Sequence, residues 1–175
     1  KNMSCLLSAG ITRNCGFQFG GLKKVYLANF EEVSGVTYSG NTGLITHVGF
    51  TSTGGTFYQF EYEPNTAQKL EELVAGAVSR FVNQTLNLKL ANVTQVKKMT
   101  LDELANATLS VILQTQDDLY WMYGEPTKSA GLRATVLSID SGTAQADDAA
   151  VTITLVGGNL GYANQVKASA VASII

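Results

Sequence analysis

The chain has 175 residues, 12 of them Lys or Arg and 14 Asp or Glu, for a net charge of −2. Charged residues make up 15%, against roughly 25% in an ordinary soluble domain, while the hydrophobic share of 45% is ordinary. This balance excludes nucleic-acid affinity driven by a basic surface, and no run of about 18 apolar residues is present to span a membrane. A surface so poor in charge suggests that other protein covers much of it. One domain, residues 1–175, is expected at this length, with room for a real core.

The opening arm, about residues 1–20, contains the apolar patch Cys5-Leu6-Leu7, too short for a secretory h-region, so no export signal is read in this chain. Cys5 and Cys15 leave a disulfide, half a metal site and two free thiols all open, with free thiols favoured without secretion. A zinc site needs about four ligands, and His47 is the single histidine. No metal and no cofactor are expected.

Hydrophobic periodicity is mostly two. Leu22–Phe30 reads as a strand after the turn pair Gly20-Gly21. Leu44–Thr51 and Phe57–Glu63, joined through Gly54-Gly55, read as a β-hairpin closed by Pro64. Within Thr66–Leu90, Gln68–Val74 has a helical option in its Glu and Leu content. Phe81–Leu90 ends in strict alternation and reads as a strand, with Gly76 a candidate bend between two hairpin arms. Thr100-Leu101-Asp102-Glu103 has the form of a capping box and predicts one short helix over residues 100–108.

Beyond it, Leu109–Gln114 is a strand, Asp117-Asp118 a turn, and Leu119–Tyr123 an aromatic strand ended by Gly124 and Pro126. Leu132–Ile139 and Val151–Val156 are two more, separated by a polar loop. The sum is a mainly β fold, a β-barrel or β-sandwich of seven to eight strands with one flanking helix. From Gly157 to Ile175 the only charge is Lys167. So apolar an extension is expected to dock, on its own domain or on a neighbouring copy.

Enzyme signatures fail: G-x-x-x-x-G-K-[ST], G-x-G-x-x-G and G-x-S-x-G are all absent. His47, in LITHVGF, reads as a strand histidine rather than a catalytic one. The doublets Glu31-Glu32, Glu71-Glu72, Asp117-Asp118 and Asp147-Asp148 read as solvated turns, since neighbouring strand residues face opposite ways. Asp140 with Asp147 and Asp148 matches no EF-hand spacing. The sequons at Asn83, Asn92 and Asn106 read as chance matches in a Thr-rich chain. Tyr120, Trp121 and Tyr123 are better explained by core and cross-strand packing than by a stacking platform for sugars or bases. No enzyme is expected. The positive signals (low charge, long polar arms, an apolar terminus) all concern assembly.

Three stretches carry a resemblance. The run Cys5…Gly10-Ile11…Cys15…Gly20-Gly21-Leu22…Val25-Tyr26-Leu27-Ala28-Asn29-Phe30 is one. Ser110–Gly124, with Asp117-Asp118 before an aromatic strand, is the second. Ser141-Gly142-Thr143-Ala144 followed by Asp147-Asp148 and Val151–Val156 is the third. Together they resemble virion proteins of tailed bacteriophages of the Bacteroidetes-infecting type, crAss-like ones included, and within that group a tail-tube-type subunit.

The resemblance implies a β-barrel or sandwich with a flanking helix, made in the host cytoplasm and assembled in the virion tail. Rings, typically hexameric, stack into a hollow tube through which DNA passes, in contact with other tail or connector proteins. Candidate lumen strands are Thr66–Leu90 and Leu44–Glu63. Candidate clasps are the loop Val33–Gly43 and the terminus Gly157–Ile175. The implied interface residues are Val33, Val36 and Tyr38, then Leu86, Leu88 and Leu90, and in the terminus Leu160, Tyr162, Val171, Ile174 and Ile175. A head–tail connector or tail-terminator ring is the alternative within virions, and a β-barrel carbohydrate-binding module the alternative outside them.

Overall fold

In the computed structural model, which describes residues 10–11, 20–40, 42–91, 94–143 and 149–175, the chain forms one large sheet with short helices attached. Eleven strands are found among the described residues: β1 (Leu22–Asn29), β2 (Val33–Ser39), β3 (Leu44–Phe50), β4 (Tyr58–Phe60), β5 (Gln68–Ala75), β6 (Arg80–Ala91), β7 (Thr108–Thr115), β8 (Tyr120–Tyr123), β9 (Leu132–Asp140), β10 (Ala150–Asn159) and β11 (Asn164–Val166). Helix α1 spans Gln95–Asn106 and the single turn α2 spans Ala168–Val171. Cys5, Cys15, Asn92, Asp147, Asp148 and nearly all of the arm 1–20 lie outside the described residues.

The fold is mainly β, as composition and periodicity require, but the sheet is not a closed barrel. It also holds three strands more than the eight segments that alternation picks out. Strand β2 was expected as a loop, because two register irregularities, between Val33 and Gly35 and between Thr37 and Tyr38, interrupt its alternation. Strand β5 is built from good helix formers, yet it pairs in unbroken register from Gln68↔Asn87 to Ala75↔Arg80. Pairing with a neighbour overrides local propensity there. Strand β11 is only three residues long.

The expected hairpin through Gly54-Gly55 does not form. Strand β3 pairs with β2 and, in parallel, with β11, while β4 pairs with β1. The connection is held elsewhere: the Phe57 N–H donates to the Ile174 carbonyl at 2.8 Å, and the Thr56 hydroxyl to the same oxygen at 3.0 Å. By contrast, the two arms about Gly76 do form a hairpin, closed by the Gly76 N–H on the Ser79 carbonyl at 2.8 Å.

Strands β1 and β7 explain the architecture. Both are buried on two faces, so their sequences (VYLA and LSVILQ) read as continuous apolar runs rather than alternation. Alternate side chains enter different cores. Val25 and Leu27 join Leu109, Val111 and Leu113 in a first core, completed by β6, β9, β10 and the α1 residues Leu101 and Leu104. Tyr26, Ala28 and Ile112 belong to a second core with Val33, Ile45, Val48 and Phe57.

One edge of β7 pairs with β1 along its length. The other edge is shared: β8 takes residues 111–114 and β9 takes 108–109. From that fork one wing runs β8-β11-β3-β2 and the other β9-β10-β6-β5. Each wing packs over one core. The second wing returns toward β8 through side chains rather than a ladder. The Lys69 ammonium lies 4.8 Å from the centre of the Trp121 ring, and the Tyr123 hydroxyl donates to the Leu70 carbonyl at 3.3 Å.

Candidate assembly surface

The β5–β6 hairpin outruns the core that anchors it. Val82 is its last fully buried side chain, and the stretch LVAGAVSRF over 73–81 carries Arg80 as its one charge. Leu73 is 57% and Val78 99% exposed, with Val74 and Phe81 also open to solvent. The rung Leu73↔Val82↔Asn159 brings this tip beside the end of β10, just before Leu160, 70% exposed, and Tyr162, 58% exposed. These exposed apolar side chains are gathered in one place rather than scattered.

The outward face of the same wing mixes uncharged polar side chains with Leu70, Val136 and Val156. In one rung the Thr154 hydroxyl donates to Asn87 Oδ1 at 2.9 Å, and Asn87 Nδ2 reaches Gln68 Oε1 at 3.5 Å. Thr85, Thr152 and Ser138 face the same way by register parity, and the charges on that face are two of each sign, Glu72 and Asp140 against Lys89 and Arg133.

A third feature lies beside α1. A hollow of about 360 Å³ is lined by Phe60, Glu61, Leu90, Val96 and Thr100, and Val96 is largely exposed. Helix α1 starts earlier than the capping box suggested. Thr94 is its N-cap, accepting from the Lys97 N–H at 3.4 Å, so Thr100 lies inside the helix with its hydroxyl on the Val96 carbonyl.

The interface residues expected from sequence divide sharply. Leu86 and Leu88 are buried in the first core, and Val33, Val171 and Ile174 in the second. Their side chains serve this subunit's own packing and have no surface to offer a partner. Strict alternation and a terminal position do not distinguish a buried apolar face from an exposed one. Val36 and Leu90 are partly buried against those cores, and Leu90 also lines the hollow. Leu160, Tyr162 and Ile175 are exposed. The tip residues Leu73, Val74 and Val78 were missed, although a nine-residue run with one charge at a Gly bend was visible in the sequence.

Tyr38 has a structural role. Its hydroxyl donates to Glu125 Oε1, which also accepts from Thr127. Glu125 is fully buried, and Lys128 stands 3.6 Å from its other oxygen while also lying 4.9 Å from the Tyr38 ring centre. Lys128 further donates to Asn164 Oδ1 at 3.0 Å, and Asn164 Nδ2 donates to the Gly43 carbonyl at 2.7 Å. This partly buried cluster around Glu125 ties β2, the β8–β9 loop and the start of β11.

The remaining sequence candidates fall as follows. His47 is exposed on β3. Glu71-Glu72 is not a turn: it lies on β5, and Glu71 accepts from the Ala163 N–H at 3.0 Å. Burial, with Glu71 adding to it, pushes the Tyr123 hydroxyl well above the usual tyrosine range, and burial raises Tyr62. Tyr123 is buried in the first core and Tyr120 packs against the second, the packing role expected of the aromatic strand, while Trp121 has Lys69 over its ring. Among the described residues no group of three or more His, Cys, Asp or Glu side chains could hold a metal, and no helix is long and apolar enough to cross a membrane. Comparison with protein-family models, with curated proteins and with solved structures finds no match to this chain.

Proposed function

We propose that this chain is a structural subunit that assembles with copies of itself into rings, stacked as the tail tube of a bacteriophage virion. The observation that carries the reading is the projecting β5–β6 tip. Its apolar side chains stand on a projecting two-stranded hairpin and are left in solvent, a costly arrangement for a monomer and a useful one for a protein whose partner is itself. The resemblance of three stretches to tail-tube-type virion proteins supports the same reading.

A conduit for DNA must not hold phosphates strongly, because each neutralised phosphate adds affinity. The outward face of the β9-β10-β6-β5 wing has chemistry compatible with such a lumen wall: many of its side chains are Thr, Asn, Gln or Ser, and its cations Lys89 and Arg133 are balanced by Glu72 and Asp140. Under this reading the protein is made in the host cytoplasm, takes its place in the tail, and meets connector or other tail proteins at the tube ends.

Electron microscopy of the purified protein tests the proposal. Open-ended tubes are expected. Isolated rings would favour a head–tail connector or terminator instead. A strict monomer with saturable glycan binding would sink both virion readings in favour of a carbohydrate-binding module.

A further inference from the structure

The geometry points to a head-to-tail contact between copies, in which the β5–β6 tip of one subunit fills the α1/β4 hollow of the next. The inference rests on the self-assembly reading and names the surfaces that would carry it.

The two surfaces lie at opposite ends of one strand. Strand β6 runs from Arg80, at the tip, to Ala91, beside the Leu90 wall of the hollow. At about 3.4 Å per residue, its 12 residues separate them by roughly 37 Å. With β6 continuous between them, the tip of a subunit lies too far away to fill its own hollow. A contact joining two different patches is heterologous, and repetition of it gives a closed ring or an open filament.

The chemistry of the two surfaces matches. Val78 at the turn supplies a small apolar knob and Phe81 a larger one, against walls of Phe60, Leu90 and Val96. The single charge of the tip is positive, Arg80, and Glu61 lines the hollow. The hollow's cation, Lys97, donates to the Ala91 carbonyl at 3.2 Å, at the foot of its own helix. A mostly desolvated contact that sets Arg80 against Glu61 favours correct register over a tip-to-tip meeting, which would set two Arg80 side chains against each other.

Two measurements on the full chain test this. In the first, Arg80→Glu should raise the concentration needed for assembly at least tenfold, and adding Glu61→Arg should restore it. In the second, performed in a Cys5→Ser, Cys15→Ser background, Val78→Cys protein is mixed with Val96→Cys protein and oxidised. Disulfide-linked pairs containing one of each are expected. Pairs formed by Val78→Cys protein alone would overturn the head-to-tail assignment. Particles that form without mixed pairs, and form equally well with Arg80→Glu, would overturn the contact and leave self-assembly standing. A parent protein monomeric at every concentration would overturn both. Val78 and Arg80 are exposed, so loss of folding does not confuse these outcomes.

Discussion

Thr94 and Thr100 are the same residue type six positions apart, and their environments give them different roles. Thr94 caps the free backbone donors at the start of α1, whereas the Thr100 hydroxyl bonds back to a carbonyl already inside the helix. Thr94→Ala should therefore cost about 0.5–1 kcal/mol, and Thr100→Ala should stay within about 0.5 kcal/mol. Urea denaturation of the two variants checks the order, and a larger loss at Thr100 would contradict the cap assignment. A second residue-scale prediction concerns Lys23 and Asp118, 2.7 Å apart and both solvent-facing. The hydrogen bond and charge of Lys23 hold the Asp118 carboxyl below its usual range, and Asp118 raises Lys23 in return. The Asp118 contribution is present above the ordinary carboxylate pKa and lost as pH falls through its lowered folded value. The Lys23 contribution is present below the ordinary lysine pKa and lost as pH rises through its raised folded value. Both are small, because exposed pairs are screened. In Lys23→Met protein the Asp118 carboxyl, followed by NMR, should titrate at higher pH than in the parent; an unmoved midpoint would contradict the pairing.

At the scale of elements, the β8–β9 connection and α2 are the two places where small features hold large ones. Gly124 sits at φ 65°, and a Cβ there would lie 2.7 Å from the Leu109 carbonyl oxygen. Gly124→Ala meets both a backbone penalty and a contact with main chain that cannot swing aside, so it should destabilise by more than about 1 kcal/mol. Equal thermal melts for parent and variant would refute the close approach. The terminus was expected to dock on its own domain or on a neighbour, and the structure decides for its own domain. Val171 and Ile174 are buried in the second core, and the Ile174 carbonyl accepts two hydrogen bonds from residues 56 and 57. Val171→Ala should cost roughly 2 kcal/mol through lost burial and a residual cavity, and removal of residues 168–175 should lower the melting temperature of the monomer. A truncated monomer as stable as the parent would show that the segment serves only assembly. Most strands were legible as elements because their apolar residues alternate. Strand β5 was not, since QKLEELVA satisfies helical propensity as well as a strand pattern, and only its pairing with β6 resolves the choice.

At the scale of the molecule, the β9-β10-β6-β5 wing has an apolar core face and an outward face rich in Thr, Asn and Gln, and the proposed tube turns the outward face toward the lumen. In a Cys5→Ser, Cys15→Ser background, Thr152→Cys in assembled tubes should react with a small maleimide but not with a polymer-linked one too wide for the lumen. Equal reaction with both would put this face on the exterior. Composition, alternation and Gly-rich turns by themselves determined that the chain is mainly β and poor in charge. The candidate site was only partly legible: Leu160, Tyr162 and Ile175 are exposed, while Leu86, Leu88, Val171 and Ile174 have the same apolar character and lie inside. Tertiary structure alone decided which strand pairs with which, that β1 and β7 separate two cores, and which apolar residues are left outside. The physical reason is that ladder hydrogen bonds are made by the backbone, which is the same at every residue. Alternation can therefore mark a strand and its two faces, but the partner on either edge, and the side on which a core forms, depend on residues far away in the chain.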